Sequence, residues 1–257
     1  MIPKFAFTLI FLCLATIQLK AQQQTEQVES MLDEAAQLMD EHDDNGALQI
    51  YLNIIEISPD NYNALWNASL LYSAIGFRFD DEERQKEYFK RAQELAETGI
   101  DLYPDRGHPY YVMAVAKGRM ADHVGVNRRI ELGHIIEEYV KKAVDIMPEH
   151  APSWHLYGVW QSEVANVSRA ERIAARFISG GLPDGSNELA EEYLRKAIQF
   201  DPGSILIRFD LSLHFLRSGQ DELAIPILED LVEMEPKLKD DPEHIKAAKE
   251  HLRELRG

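Results

Sequence analysis

Residues 189–203, LAEEYLRKAIQFDPG, read as one amphipathic helix that a proline stops. Leu189, Ala190, Tyr193, Leu194, Ala197 and Ile198 recur at steps of three and four, the spacing that puts apolar groups on one helical face. Pro202 then ends the run, because proline lacks the amide hydrogen a helix needs and clashes with the preceding turn. The pattern returns in 46–60 (GALQIYLNIIEISPD), 88–105 (YFKRAQELAETGIDLYPD) and 135–149 (IIEEYVKKAVDIMPE), and 221–237 (DELAIPILEDLVEMEPK) closes the series.

The prolines of this series are Pro59, Pro104, Pro148, Pro202 and Pro236, separated by 45, 44, 54 and 34 residues. The last gap equals the tetratricopeptide period of about 34 residues, and the others exceed it by insertions of about 11, 10 and 20. Ten residues after the first four prolines stand Ser69, Ala114, Gly158 and Ser212. Twelve residues before the prolines stand Ala47, Ala92, Ile136, Ala190 and Ala224. Small residues at fixed points of a helical hairpin are what close helix packing requires, with Ile136 the one departure.

The expected fold is therefore all-α: a tetratricopeptide-type solenoid of helical hairpins over 25–257, with insertions between the two helices of three repeats. The repeats end near 59, 104, 148, 202 and 236, and the insertions fall near 77–87, 122–134 and 166–187. An opening helix is expected from Thr25 to Met39, and a capping helix over 242–256, with Asp241 at its N-terminus and Ile245, Ala248, Leu252 and Leu255 as its apolar stripe.

Ahead of the repeats, Lys4, the apolar run Phe5–Ile17 and Ala21 before a Gln-rich stretch have the layout of a secretory leader. Cleavage is expected near Ala21 or Gln22, giving a leader over 1–21 and a periplasmic or secreted product. The apolar run is shorter than the roughly 20 residues a spanning helix needs, so no membrane insertion is expected after cleavage. Cys13, the only cysteine, lies inside that run behind bulky Phe11 and Leu12, an unfavourable setting for a lipid anchor. The mature chain would then carry no thiol or disulfide. The net charge is −17, and losing Lys4 and Lys20 brings it to about −19, a surface that repels nucleic acid.

The run HLYGVWQSEVANVSRAERIAARFISGGLP (155–183), followed by LAEEYLRKAIQFDP, resembles the tetratricopeptide-like regulator of microtubule dynamics family and its secreted bacterial relatives. The resemblance extends upstream through ALWNASLLYSAIG, HPYYVMAVAKGRMAD and IIEEYVKKAVDIMPEHAPSWH, covering roughly residues 28 to 240. It implies a helical-repeat scaffold that is not an enzyme. It transfers no catalytic residue, and with an exported leader it transfers no microtubule role.

Seven residues after successive prolines come Trp66, Tyr111, His155 and Phe209. In a tetratricopeptide stack this place on the first helix faces the concave groove, where four rings would form a column fit for a peptide. The plainer alternative makes these rings core, with Trp154 also in the core and Trp160 against the third insertion. Arg119, Arg128, Arg172 and Arg176, with Arg129 and Arg169 beside them, would gather guanidinium groups on one edge to hold an acidic partner segment, or else pair internally with Asp122, Glu131, Glu163 and Glu171.

The sequence carries no HExxH, GxSxG or phosphate-loop lysine, so no enzyme, cofactor or metal is expected. His244 and His251, seven apart on the terminal helix, are too distant to share a metal without another ligand between them. The reading is a non-enzymatic scaffold binding a protein or peptide in its groove, as a monomer or weak oligomer. The alternative is a small-molecule binder whose groove the insertions close, with Phe177 and Leu182 folded over the rings.

Overall fold

The computed structural model describes residues 4–177 and 181–257, with side chains from residue 22 on, Ala174 excepted. The leader expected over 1–21 and residues 178–180 of the third insertion thus lie outside the described residues or side chains. The described residues form helices joined by short links, with no strand among them. Helix α1 (Lys4–Asp40) pairs with α2 (Asp44–Ile57), and α3 (Tyr62–Phe77) with α4 (Glu82–Leu102). Then α5 (Gly107–Ala121) pairs with α6 (Val126–Ile146), α7 (Ala151–Ala165) with α9 (Asn187–Phe200) across the short α8 (Arg169–Ala175), and α10 (Ile205–Arg217) with α11 (Asp221–Val232). Helix α12 (Asp241–Arg256) lies on the last pair, where Ala248 and Leu252 enter the terminal core.

Four prolines build four equivalent turns. The helix stops two residues before Pro59, Pro104, Pro148 and Pro202, and the cap amide still bonds four residues back, as in Ser58 to Ile54 and Asp201 to Ala197. Asn61, Arg106, His150 and Ser204 then donate to the carbonyls of Ser58, Tyr103, Met147 and Asp201, three residues earlier, at 3.0, 3.0, 3.1 and 3.4 Å. Proline occupies the second place of each turn, where its fixed φ is already the one needed. Pro236 differs: α11 ends four residues ahead of it, at Val232, and the longer link to α12 follows.

A side chain six residues after the proline locks three of these turns. Tyr110 Oη, Trp154 Nε1 and Arg208 Nη2 donate to the carbonyls of Pro104, Pro148 and Pro202 at 2.9, 2.8 and 2.9 Å. Trp154 thus lies at the edge of the core: half-buried against the cluster of Ala151, Ala197 and Ile207, it is bonded to its own turn, with the Lys196 ammonium 3.6 Å from its ring centroid.

The small residues lie where the helices of a hairpin come together. Ser69 Oγ donates to the carbonyl of Ala92 at 2.8 Å, directly joining the position ten after one proline to that twelve before the next. Ala47, Ala92, Ala114, Ala190, Ser212 and Ala224 are fully buried, and Ile136 is 6% exposed. At Gly158 an added Cβ would sit 2.6 Å from Leu194 Cγ and 3.0 Å from Leu194 N, so a side chain there forces α7 and α9 apart.

The insertions are mostly helix. Both α4 and α6 have 21 residues against 14 in α2 and α9, so the first two insertions largely extend the second helix of their hairpins at its N-terminus. The third forms α8, whose start is a reciprocal cap: Ser168 Oγ accepts from Glu171 N, and Glu171 Oε2 accepts from Ser168 N, each at 3.2 Å. The link after α8 is held by Gln161, 2% exposed, whose Oε1 accepts from Ser186 N at 2.9 Å. Trp160 is buried and donates to Gly133 O of α6 at 3.0 Å, so its polar anchor is the second insertion rather than the third.

Two expectations about the ends need correction. Helix α1 begins upstream of Thr25, since nothing between Lys4 and Asp40 is glycine or proline to break it. Asp241 does not cap α12; it is 3% exposed and turns back to accept from the amides of Lys237 and Leu238 at 2.8 and 2.7 Å.

Because Gly158 sets the closest approach in a hairpin, Gly158→Val should destabilise the fold by about 2 kcal/mol or more. Equilibrium chemical denaturation against the parent chain measures this, and an unchanged midpoint would show that α7 and α9 are not closely packed.

Candidate functional site

Among the first helices, α3 touches α5, α7 touches α10 and α10 touches α12, while no comparable contact joins α4, α6 and α9. The stack therefore curves with the first helices inside, and their exposed sides line the concave face.

At the α3–α5–α7 end of this face, aromatic and imidazole rings form a continuous strip. Trp66 stacks on His108 with centroids 4.4 Å apart and planes 20° apart. His108 meets His150 edge to face at 5.1 Å, and His150 meets Tyr111 at 5.1 Å. Tyr62 extends the strip, with its hydroxyl 2.7 Å from His108 Nδ1, its ring 5.1 Å from Tyr103 and the Arg106 guanidinium 5.5 Å from its centroid. Trp66 and Tyr111 also share the apolar bed of Ala96, Val112 and Met113. The indole Nε1 of Trp66 is buried with no hydrogen-bond partner among the described residues.

The imidazoles are held neutral. Burial, aided by the Arg106 charge, lowers the pKa of His108. Burial, aided by His108, pushes His150 down to about 4, and its Nδ1 lies 2.7 Å from Ser153 Oγ. Burial pushes the Tyr111 phenol up to about 12 against the opposing Arg119 charge. At neutral pH the strip is thus uncharged, and it can stack against a partner and exchange hydrogen bonds but offers no strong cation.

The other half of the concave face is ionic. His155 Nε2 lies 2.6 Å from Asp210 Oδ2, tying α7 to α10. Arg119, Asp122, Glu163 and Arg217 complete the electrostatic neighbourhood. The concave wall withholds enough water from Glu163 to raise its pKa, against the lowering effect of Arg217. Arg119 is half-buried and lies 3.8 Å above the Phe77 ring, with its pKa lowered by burial.

The residues singled out from sequence are thus divided. Trp66 and Tyr111 share a site, His155 belongs to the ionic half, and Phe209 is only 8% exposed, packed against His244 and His251 of α12. A four-ring column does not form, because the capping helix covers the fourth position and Asp210 engages the third. The arginines also serve different places. Arg128 pairs with Glu131 at 2.7 Å, Arg172 donates to the Val164 and Ala165 carbonyls at the end of α7, and Arg176 is exposed. Arg129 donates to Ala121 O, closing the end of α5 in the same way.

Sequence reasoning missed His108 and His150. His150 sits in the fourth place of a proline turn and His108 four residues after Pro104, so the prolines themselves could have located both. It also missed His214, fully buried, with Nδ1 2.9 Å from Ser162 Oγ. No cluster of three or more candidate metal ligands occurs among the described residues. Among them, too, no helix is long and apolar enough to cross a membrane.

The profile of the family described as Regulator of microtubule dynamics protein 1-3 matches residues 31–256. The chain belongs to this family. Regulator of microtubule dynamics protein 3 of Xenopus laevis is 26% identical over 155 residues, 60% of this chain and 34% of that protein. Regulator of microtubule dynamics protein 1 of Pongo abelii is 26% identical over 186 residues, 69% of this chain and 56% of that protein. The chain thus spans between about a third and just over half of the relatives it matches. Among solved structures, TTC0263, a thermophilic TPR protein of Thermus thermophilus, matches with a TM-score of 0.64 at 18% identity, over 86% of this chain and 98% of that one. The fold is therefore a tetratricopeptide solenoid.

The depressed imidazoles set a pH dependence. The unfolded chain takes up protons below the ordinary histidine pKa of about 6.5, while folded His150 resists protonation down to about 4. Stability contributed by this site is present above pH 6.5 and should fall as pH drops toward 4. Thermal midpoints across that range should show a shallower fall in His150→Gln, and parallel slopes would show that His150 carries none of it.

Proposed function

We propose that this chain is a non-enzymatic tetratricopeptide scaffold, periplasmic or secreted, that holds a protein or peptide partner against its concave face. The observation that carries the reading is the neutral strip Trp66–His108–His150–Tyr111. Stacked rings bury large area at little entropic cost. The ionic half at Arg119, His155, Glu163 and Asp210 would set register and approach rather than affinity. Arg128, Arg172 and Arg176 fall outside this role, as does Phe209, which packs against the capping helix.

The small-molecule alternative needs the third insertion to cover the rings. Phe177 is 89% exposed and so is not folded over the rings, which favours a macromolecular partner. Fold and family both support a role without catalysis, and the strongly acidic surface supports a partner other than nucleic acid. The leader pattern supports work beyond a membrane. Mass determination of the chain isolated from its source should place the N-terminus near Gln22, whereas a retained Lys4–Ala21 segment would mean an anchored or internal protein.

A native mass spectrum of the same material should show a second polypeptide in fixed stoichiometry, while an increment of a few hundred daltons would favour the small-molecule reading. Tyr111→Ala combined with His155→Ala should reduce the partner-bound fraction at least tenfold with the circular-dichroism spectrum unchanged. Loss of stability with retained binding would show that these side chains are structural.

A further inference from the structure

The two ends of the solenoid touch. Arg78, at the C-terminus of α3, pairs through Nη1 with Asp44 at the start of α2 and donates through Nη2 to Asp240 Oδ2 at 3.0 Å, across 162 residues of sequence. Lys239, beside Asp240 in the α11–α12 link, places Nζ 3.4 Å from the carbonyl of His42 and 3.9 Å from Asp44. We propose that these groups form an ionic clasp closing the solenoid into a single turn, and that opening it admits the partner to the concave face. The second part rests on the concave-face reading above.

The clasp is built from both sides. In the link, buried Asp241 binds the amides of Lys237 and Leu238, which fixes the segment carrying Lys239 and Asp240. In the first repeat, His42 has φ +62°, the left-handed region that residues other than glycine seldom adopt, and its carbonyl is the one Lys239 approaches. Two cations and two carboxylates are matched one for one, and the Arg78 cation is strengthened by both of its partners.

Charge makes this junction without apolar support. Ala47, Ile54 and Ile75 of the first repeats and Phe215, Leu228 and Leu252 of the last pack into separate core clusters. Leu238, the apolar residue of the link, is 60% exposed. Ion pairs at such partly exposed sites are weak and screened by salt, so the junction can open without unfolding any repeat. Elsewhere neighbouring elements are joined by buried apolar contact, which salt does not loosen.

The test uses the full chain carrying Cys13→Ser, with spin labels at Glu41→Cys and Glu235→Cys on opposite sides of the junction. Pulsed electron–electron double resonance at about 10 mM salt should give one short distance. Raising salt to about 1 M, which shortens the screening length from roughly 30 to 3 Å, should populate longer distances. Arg78→Ala should populate them even at low salt, with circular dichroism unchanged. Should Arg78→Ala disturb the end of α3, Asp240→Asn in the exposed link serves in its place. A distance distribution indifferent to salt and to both substitutions would overturn the clasp. If the distances lengthen but the variant's partner-bound fraction in the native mass spectrum equals the parent's, the gating role fails while the clasp and the concave-face reading stand.

Discussion

Everything in this molecule depends on how closely the two helices of each hairpin approach. Where Ser69 bonds the backbone of Ala92, and where Leu194 fills the space Gly158 leaves, the partner helix lies against backbone rather than side chain. Such contact fixes both the separation and the rotation of the helices, because backbone cannot repack as a flexible side chain can. Once the hairpins are fixed, so is the face each first helix shows to its neighbour. The curvature of the stack, and with it the concave surface, follows from that geometry repeated.

The proline turns carry the geometry from one hairpin to the next. Each turn uses the same hydrogen bond over the same four residues, and three are locked by a side chain six residues on. That the locking residue is Tyr110, Trp154 or Arg208 shows what is selected there: a donor long enough to reach back, whatever its chemistry. Large aromatic residues in first helices are thus shared between two tasks, turn closure and the concave strip, and composition alone cannot sort them.

This explains why the fold was legible in the sequence and the site only partly. Proline and small residues report backbone geometry, which is local and recurs at fixed offsets, so they reveal hairpins directly. Side-chain partnerships cross between repeats and depend on what the neighbour supplies. His155 holds the same offset as Tyr111, yet Asp210 stands opposite it and makes it half of an ion pair. Phe209 holds that offset too, but the neighbour of α10 is the capping helix, and a position that faces the groove elsewhere is covered there. The arginines of the insertions likewise looked like a patch until their reach was known: Arg129 and Arg172 turn inward to the open carbonyls at the ends of α5 and α7.

The ends of a solenoid pose a problem that its middle does not. An interior hairpin has apolar neighbours on both sides, but the first and last each expose a face, and helix α12 covers only one of them. At the other end α1 packs on α2, and the α1–α2 turn meets the α11–α12 link through charge. An apolar junction there would have fused the ends into one core and sealed the concave face permanently. Joining them by Arg78 and Lys239 keeps the two end cores separate, so closure costs little and can be reversed. In a repeat fold, where each unit is stabilised mainly by its neighbours, such a contact can break while every repeat keeps its own packing.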